Sequence, residues 1–136
     1  MTESLQAVEQ RLAEHIAAEA LALTVESPDE GEVLRVRLAE YEDLPVTVVA
    51  QPAEVLCMVP LFERGEIAPG KEAECMQAML ELSTALPLSF CAAYRSRYWL
   101  MGAVKGDATG EEIAHEVITL VHNTEDAVVR LAEYMQ

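Results

Sequence analysis

Few residues in this 136-residue chain are spaced for chemistry. The densest group is Glu63, Arg64 and Glu66, in the segment LFERGEIAPG at residues 61–70. A charged loop between a strand and a helix can bind a ligand, and Arg95 and Arg97 could join it from a turn. One functional reading is therefore a small-molecule-binding protein or an enzyme built on Glu63, Arg64, Glu66, Arg95 and Arg97. The plainer reading is a solvated loop, with strand arginines guarding sheet edges and pairing with the many glutamates.

Other chemistries fail on spacing. The histidines are His15, His115 and His122, and no Cys or His pair stands two to four residues apart as metal ligands do. His115 and His122 share a helix face, which is more often plain polar surface. Ser89 lacks both a G-x-S-x-G elbow and a base near it in sequence. Cys57, Cys75 and Cys91 form no C-x-x-C motif and have no neighbouring His. Their odd number and wide spacing fit reduced, buried thiols of a cytoplasmic protein. Gly102, Gly106 and Gly110 resemble a phosphate loop only superficially, since no Gly-Lys-Ser/Thr follows. No catalytic residue, metal or cofactor is assigned, and the chain reads as non-enzymatic.

Composition narrows the partners. A formal net charge of −15 argues against nucleic acid and anionic membrane, because phosphate binding needs clustered Lys and Arg. The chain is 51% hydrophobic, with a mean hydropathy of +0.13. Either the core is large, or apolar surface is kept for a partner. The acidic surface also serves solubility. The opening Thr2-Glu3-Ser4 has no basic or apolar run, so no signal peptide is expected. The apolar region 44–62 is interrupted by Gln51, Pro52 and Glu54 and cannot span a bilayer.

The elements that must position these residues can be read in order. Residues 4–20 form a helix with Ser4 as N-cap and Leu5, Val8, Leu12 and Ile16 on one face. Alternation around Leu23 and over Val33–Ala39, separated by Ser27-Pro28-Asp29-Glu30-Gly31, predicts a hairpin with Arg35 and Arg37 outward. Val46–Ala50 and Val55–Val59 are two more strands, bracketed by prolines that should end the ladder. Lys71–Ala85 is a helix whose stripe is Cys75, Met76, Met79, Leu80 and Ser83. LPLSFCAAYRSRYWLMGAV, residues 86–104, predicts a central hairpin covered on both faces, with Arg95-Ser96 as its turn. Tyr94 then lies opposite Arg97, Ala92 opposite Trp99 and Phe90 opposite Met101. Thr109 and Glu112 form a capping box for a last helix ending near Tyr134. Its apolar stripe, which includes Val121 and Val128, is wider than one sheet contact needs.

The expected fold is thus α+β: one domain spanning 1–136, an antiparallel sheet of five to six strands and three helices, in the order α-β-β-β-β-α-β-β-α. The surplus apolar helix surface predicts a homodimeric, protein-binding module with Met76, Met79, Leu80, Val121 and Val128 at its interface.

The blocks Val59–Phe62, Leu86–Phe90, Tyr98–Gly102 and Glu116–Thr124 resemble the YjfI-like family of small bacterial cytoplasmic proteins. That resemblance implies no activity and no catalytic residues. It implies a possible partner, since family members tend to be encoded near envelope-stress, PspA-like proteins. In element order and acidity the chain is also similar to type III secretion chaperones, small dimeric α/β proteins that bind polypeptides.

Overall fold

A computed structural model describes residues 3–28 and 32–136. Helix α1 spans Glu3–Glu19, strands β1 and β2 Leu23–Glu26 and Leu34–Leu38, and β3 and β4 Val46–Ala50 and Glu54–Glu63. Helix α2 follows at Glu72–Ala85, then β5 at Phe90–Tyr94, β6 at Arg97–Lys105 and α3 at Gly110–Leu131. The order is the expected one. Most of the Ser27–Gly31 turn lies outside the described residues. The helix expected from Ser4 already includes Glu3, so Ser4 sits within its first turn rather than capping it. The helix ends on Ala20 in a left-handed conformation (φ 52°), and Leu21 N–H donates to the Ile16 carbonyl at 3.0 Å, a Schellman closure.

The six strands form one antiparallel sheet in the order β1-β2-β3-β4-β6-β5. The β5–β6 register is as read from the sequence, with Tyr94 opposite Arg97, Ala92 opposite Trp99 and Phe90 opposite Met101. Arg95 and Ser96 both adopt positive φ (51° and 63°), the turn geometry that matches strand twist. The hairpin is not central, however. Strand β6 pairs with β4, which leaves β5 at the sheet edge.

Pro60 does not end β4 either. It stands opposite Trp99, and the ladder resumes at Phe62 and Tyr98 after a bulge that absorbs Leu61. The segment expected as the longest loop is therefore strand through Glu63. A 3₁₀ turn, Arg64–Glu66, follows it.

All three helices pack on the same sheet face. Inward rows such as Val36, Val48, Cys57 and Leu100 share one core with Leu12 of α1, Cys75 and Met79 of α2, and Val117 and Leu120 of α3. Burying these side chains stabilises the fold by about 1.5–3 kcal/mol each. Most of the wide stripe of α3 is used within the chain, because this helix spans β4 and β6 and also meets α1; Val128 is left exposed. That meeting is close. A Cβ on Gly110 would run into the Arg11 backbone, and the Arg11 guanidinium donates to the carbonyls of Ala108 (2.9 Å) and Gly106 (3.2 Å). The Thr109–Glu112 capping box forms as expected, at 3.0 and 3.1 Å.

Candidate functional site

The opposite sheet face carries no helix among the described residues. Antiparallel partners point to the same side, so its rows follow from the register. Arg35, Thr47, Met58, Met101 and Phe90 form one row. Pro60, Trp99 and Ala92 form the next, and Val49, Leu56 and Ala103 a third. Five strands thus contribute to a face that is apolar at its centre. Its charges lie at the margins: Arg35, Arg37, Arg97 and Lys105 against Glu26, Glu54 and Glu63. Among the described residues the face therefore holds one positive charge in excess, on a chain of formal charge −15. The acidic surplus is carried elsewhere.

At the lower margin, strand pairing and the β5–β6 turn gather four of the five predicted loop residues. A concavity of about 470 Å³ is lined by Glu63, Arg64, Arg95, Arg97, Tyr94 and Trp99, among others. Its groups largely satisfy one another. Arg97 donates to Glu63 at 2.7 Å and lies 5.9 Å from the Trp99 ring centre. Arg95 lies 5.2 Å from the Tyr94 ring centre. Glu66 turns away and accepts from the Glu63 N–H at 2.6 Å, pinning the 3₁₀ turn.

The five apolar candidates do not come together. Val121 and Met79 are core residues, 0% and 4% exposed, and cannot face a partner in this fold. Met76 is half-buried against the core. Leu80 and Val128 are exposed, 68% and 49%. On α2 the buried positions are Cys75, Met79 and Leu82, a 4-then-3 spacing that turns the stripe toward Leu82 and leaves Leu80 in solvent. Spare apolar surface is thus scattered on the helices, at Leu80, Val128 and Val129, and contiguous on the outer sheet face, where Leu56, Met58, Pro60, Trp99 and Met101 are half-buried and Phe90 is exposed.

Sequence reading missed a buried polar seam along α3. Asn123 Nδ2 donates to the Pro87 carbonyl and to Ser89 Oγ, both at 2.8 Å, and so anchors the LPLSF bend. Two turns earlier on the same helix, Glu116 is 3% exposed. Its Oε1 occupies the space a side chain on Gly102 would fill. The seven-residue step from Glu116 to Asn123 was the available signal, since it places both on one helix face. Two buried side-chain atoms among the described residues have no hydrogen-bond partner: Glu116 Oε1, and Trp99 Nε1 on the outer face.

The thiols are poor nucleophiles. Burial, aided by the Glu116 carboxyl, pushes Cys57 up to about 12, and burial raises Cys75 and Cys91 as well. Among the described residues no three His, Cys, Asp or Glu side chains are grouped to hold a metal ion. Among the described residues no helix is long and apolar enough to cross a membrane.

The chain belongs to the bacterial family described as "Uncharacterized protein conserved in bacteria (DUF2170)", which matches residues 2–135. No curated protein matches it. Its fold is similar to those of solved structures at low identity. One is the Yersinia pestis type III secretion chaperone SycH in complex with a stable fragment of YscM2. That match has 17% identity and a TM-score of 0.59, and covers 88% of this chain and 98% of that one. Another is a chain of the HopA1–SchA chaperone–effector complex, at 9% identity and TM-score 0.66, covering 94% and 98%. A third is YbjN, a putative transcription regulator from E. coli, at 10% and 0.66, covering 96% and 93%. The type III secretion chaperone architecture expected from the element order is thus the one observed.

Proposed function

We propose that this chain is a non-enzymatic protein-interaction module, a single domain that works as a homodimer and engages a partner polypeptide, in the manner of a chaperone or adaptor. The observation that carries this reading is the helix-free sheet face. It is apolar across β3, β4, β6 and β5 and nearly charge-balanced, so a second copy or a polypeptide can approach it without the repulsion that the acidic helix layer imposes.

The size is adequate. Four strands about 4.8 Å apart and five to ten residues long, at about 3.4 Å each, project to roughly 400–600 Å². A corrugated surface of that footprint approaches the ~800 Å² per partner of a standard interface. Trp99 supports the reading: its indole N–H has no acceptor among the described residues, and tryptophan is enriched where interfaces concentrate their affinity. The solved chaperones sharing the fold are bound to other polypeptides in their complexes, which is consistent with this use.

The test is light scattering coupled to size-exclusion chromatography. A dimer is expected, and Met101→Glu, at the centre of the face, should yield a folded monomer. A monomeric wild type, or a dimer indifferent to M101E, rejects the proposed face. A PspA-like envelope-stress protein is the partner to try first in pull-down from bacterial lysate, with M101E as the control.

A second reading is favoured by one observation, the concavity at Glu63, Arg64, Arg95 and Arg97. A small anion could displace Glu63 from Arg97. Arg97→Ala would then abolish the binding of such a ligand while leaving the dimer intact.

A further inference from the structure

The contacts at the β5–β6 turn leave two charges unmatched. Three of the chain's nine basic residues, Arg64, Arg95 and Arg97, line the concavity there. The only acid lining it is Glu63; Glu66, its neighbour in sequence, is held by the Glu63 N–H instead. Three arginines against one glutamate leave two positive charges in excess.

Two turns tied to each other carry these groups. The Arg64 N–H donates to the Ser96 carbonyl at 2.9 Å. One residue away, Glu63 pairs across the strands with Arg97. The 3₁₀ turn that starts at Arg64 is thus fastened to the turn that carries Arg95. That fastening uses backbone and the Arg97–Glu63 ion pair, so it spends neither the Arg64 nor the Arg95 guanidinium. Among the described residues neither of those two has a hydrogen bond or ion pair to an acid, although the chain holds 24 acidic side chains. Arg95 only lies over the Tyr94 ring. Trp99 lines the same concavity, and its indole N–H also has no acceptor among the described residues.

We infer that this concavity binds a dianionic phosphate monoester, an inference that rests on its reading as an anion site. A carboxylate brings one charge and two oxygens in one plane, enough for a single guanidinium fork. A phosphate monoester brings about two charges at neutral pH and three acceptor oxygens. It matches the excess charge, and the forks of Arg64 and Arg95 can share its oxygens, with Arg97 joining as the ester competes with Glu63. The ligand is a single phosphate group rather than a polyanion, because a longer run of charge would meet the acidic surplus of the rest of the chain. A free small phosphate ester and a phosphorylated side chain of a partner polypeptide share this chemistry.

Trp99 is the only tryptophan, so its fluorescence and its indole N–H NMR signal report on the site. The full chain, at one protein concentration and one ionic strength, is titrated with methyl phosphate, dimethyl phosphate and Nα-acetyl-O-phosphoserine N-methylamide. Dimethyl phosphate keeps the tetrahedral group but carries a single charge. Saturable binding of both monoesters is expected, about fivefold or more tighter than that of the diester. Equal or tighter binding of methyl phosphate identifies a free small ester, and tighter binding of the phosphoserine derivative a phosphorylated polypeptide. Arg64→Gln and Arg95→Gln, both at exposed positions, should each weaken monoester binding roughly tenfold. The double variant should erase the preference for monoester over diester, while Arg130→Gln on α3 should change nothing. Equal binding of monoester and diester overturns the inference and leaves the anion site standing. No saturable binding of any probe removes both. Monoester binding indifferent to R64Q and R95Q overturns the inference as well, since the ester would then sit elsewhere.

Discussion

Replacing Glu116 by glutamine should stabilise the protein at pH values above the folded-state value of this carboxyl. Burial raises the carboxyl above its ordinary value, and the nearby His115 opposes this only in part. A raised acid binds its proton more tightly in the folded state than in the unfolded one. Its stabilising contribution is therefore complete below the unfolded value of about 4.5 and is lost as pH climbs through the higher folded value. Above that point the folded state holds an ionised carboxylate with one oxygen fully buried and unpartnered. Leaving such an atom unsatisfied costs about 1–3 kcal/mol, and more when the group is charged; Glu116→Gln keeps the shape without the charge and should recover the part due to ionisation, on the order of 1 kcal/mol. For a chain of this length that is a rise in Tm of roughly 3 °C or more. The assay is thermal and urea unfolding of both proteins from pH 4 to pH 8, at one protein concentration so that any dimerisation is held constant. The two curves should converge at the acid end and separate as pH rises. A gap independent of pH, or a destabilised variant at pH 8, would show that the carboxylate is held by interactions this reasoning omits. Gly102→Ala supplies an independent arm. Its methyl would occupy the space of the Glu116 carboxyl, costing about 1–3 kcal/mol as an overpacked site. The double variant Gly102→Ala, Glu116→Ala should regain part of that loss, since the two side chains compete for one volume.

Other consequences follow from named contacts. Asn123→Ala removes two hydrogen bonds to the 86–89 bend; a loss of about 1–3 kcal/mol is expected, with faster amide exchange at Phe90 and Cys91 as its local signature. Thr109→Ala strips the cap of α3 and should cost about 1 kcal/mol in urea unfolding. Arg97→Ala breaks a solvent-exposed pair with Glu63, worth under about 1 kcal/mol; a larger loss would mean that the stack on Trp99 orders the β5–β6 turn.

Much was settled by local pattern. Period-two alternation in LRVRL, turn chemistry at Arg95-Ser96 and the Thr109–Glu112 box each act within a few residues, so the sequence alone determined the strands, one hairpin register and the entry to α3. Element order followed, and with it the α+β class. What it could not determine was which apolar stripes would cover one another. Val121 and Val128 look alike on a helical wheel, yet α1 and the sheet bury the first and leave the second exposed. Phe90, Ala92, Trp99 and Met101 looked like a core hairpin because both faces were apolar. Pairing of β6 with β4 put β5 at the edge, and three helices on one side left Phe90 exposed and Ala92, Trp99 and Met101 only half-buried. Likewise the seven-residue step from Glu116 to Asn123 puts both on one helix face but does not say that this face is buried: the approach of α3 to Gly102 removes its water. Alternation and capping are fixed by covalent neighbours. Burial is fixed by contacts between segments far apart in the chain, and those exist only once the chain has closed on itself.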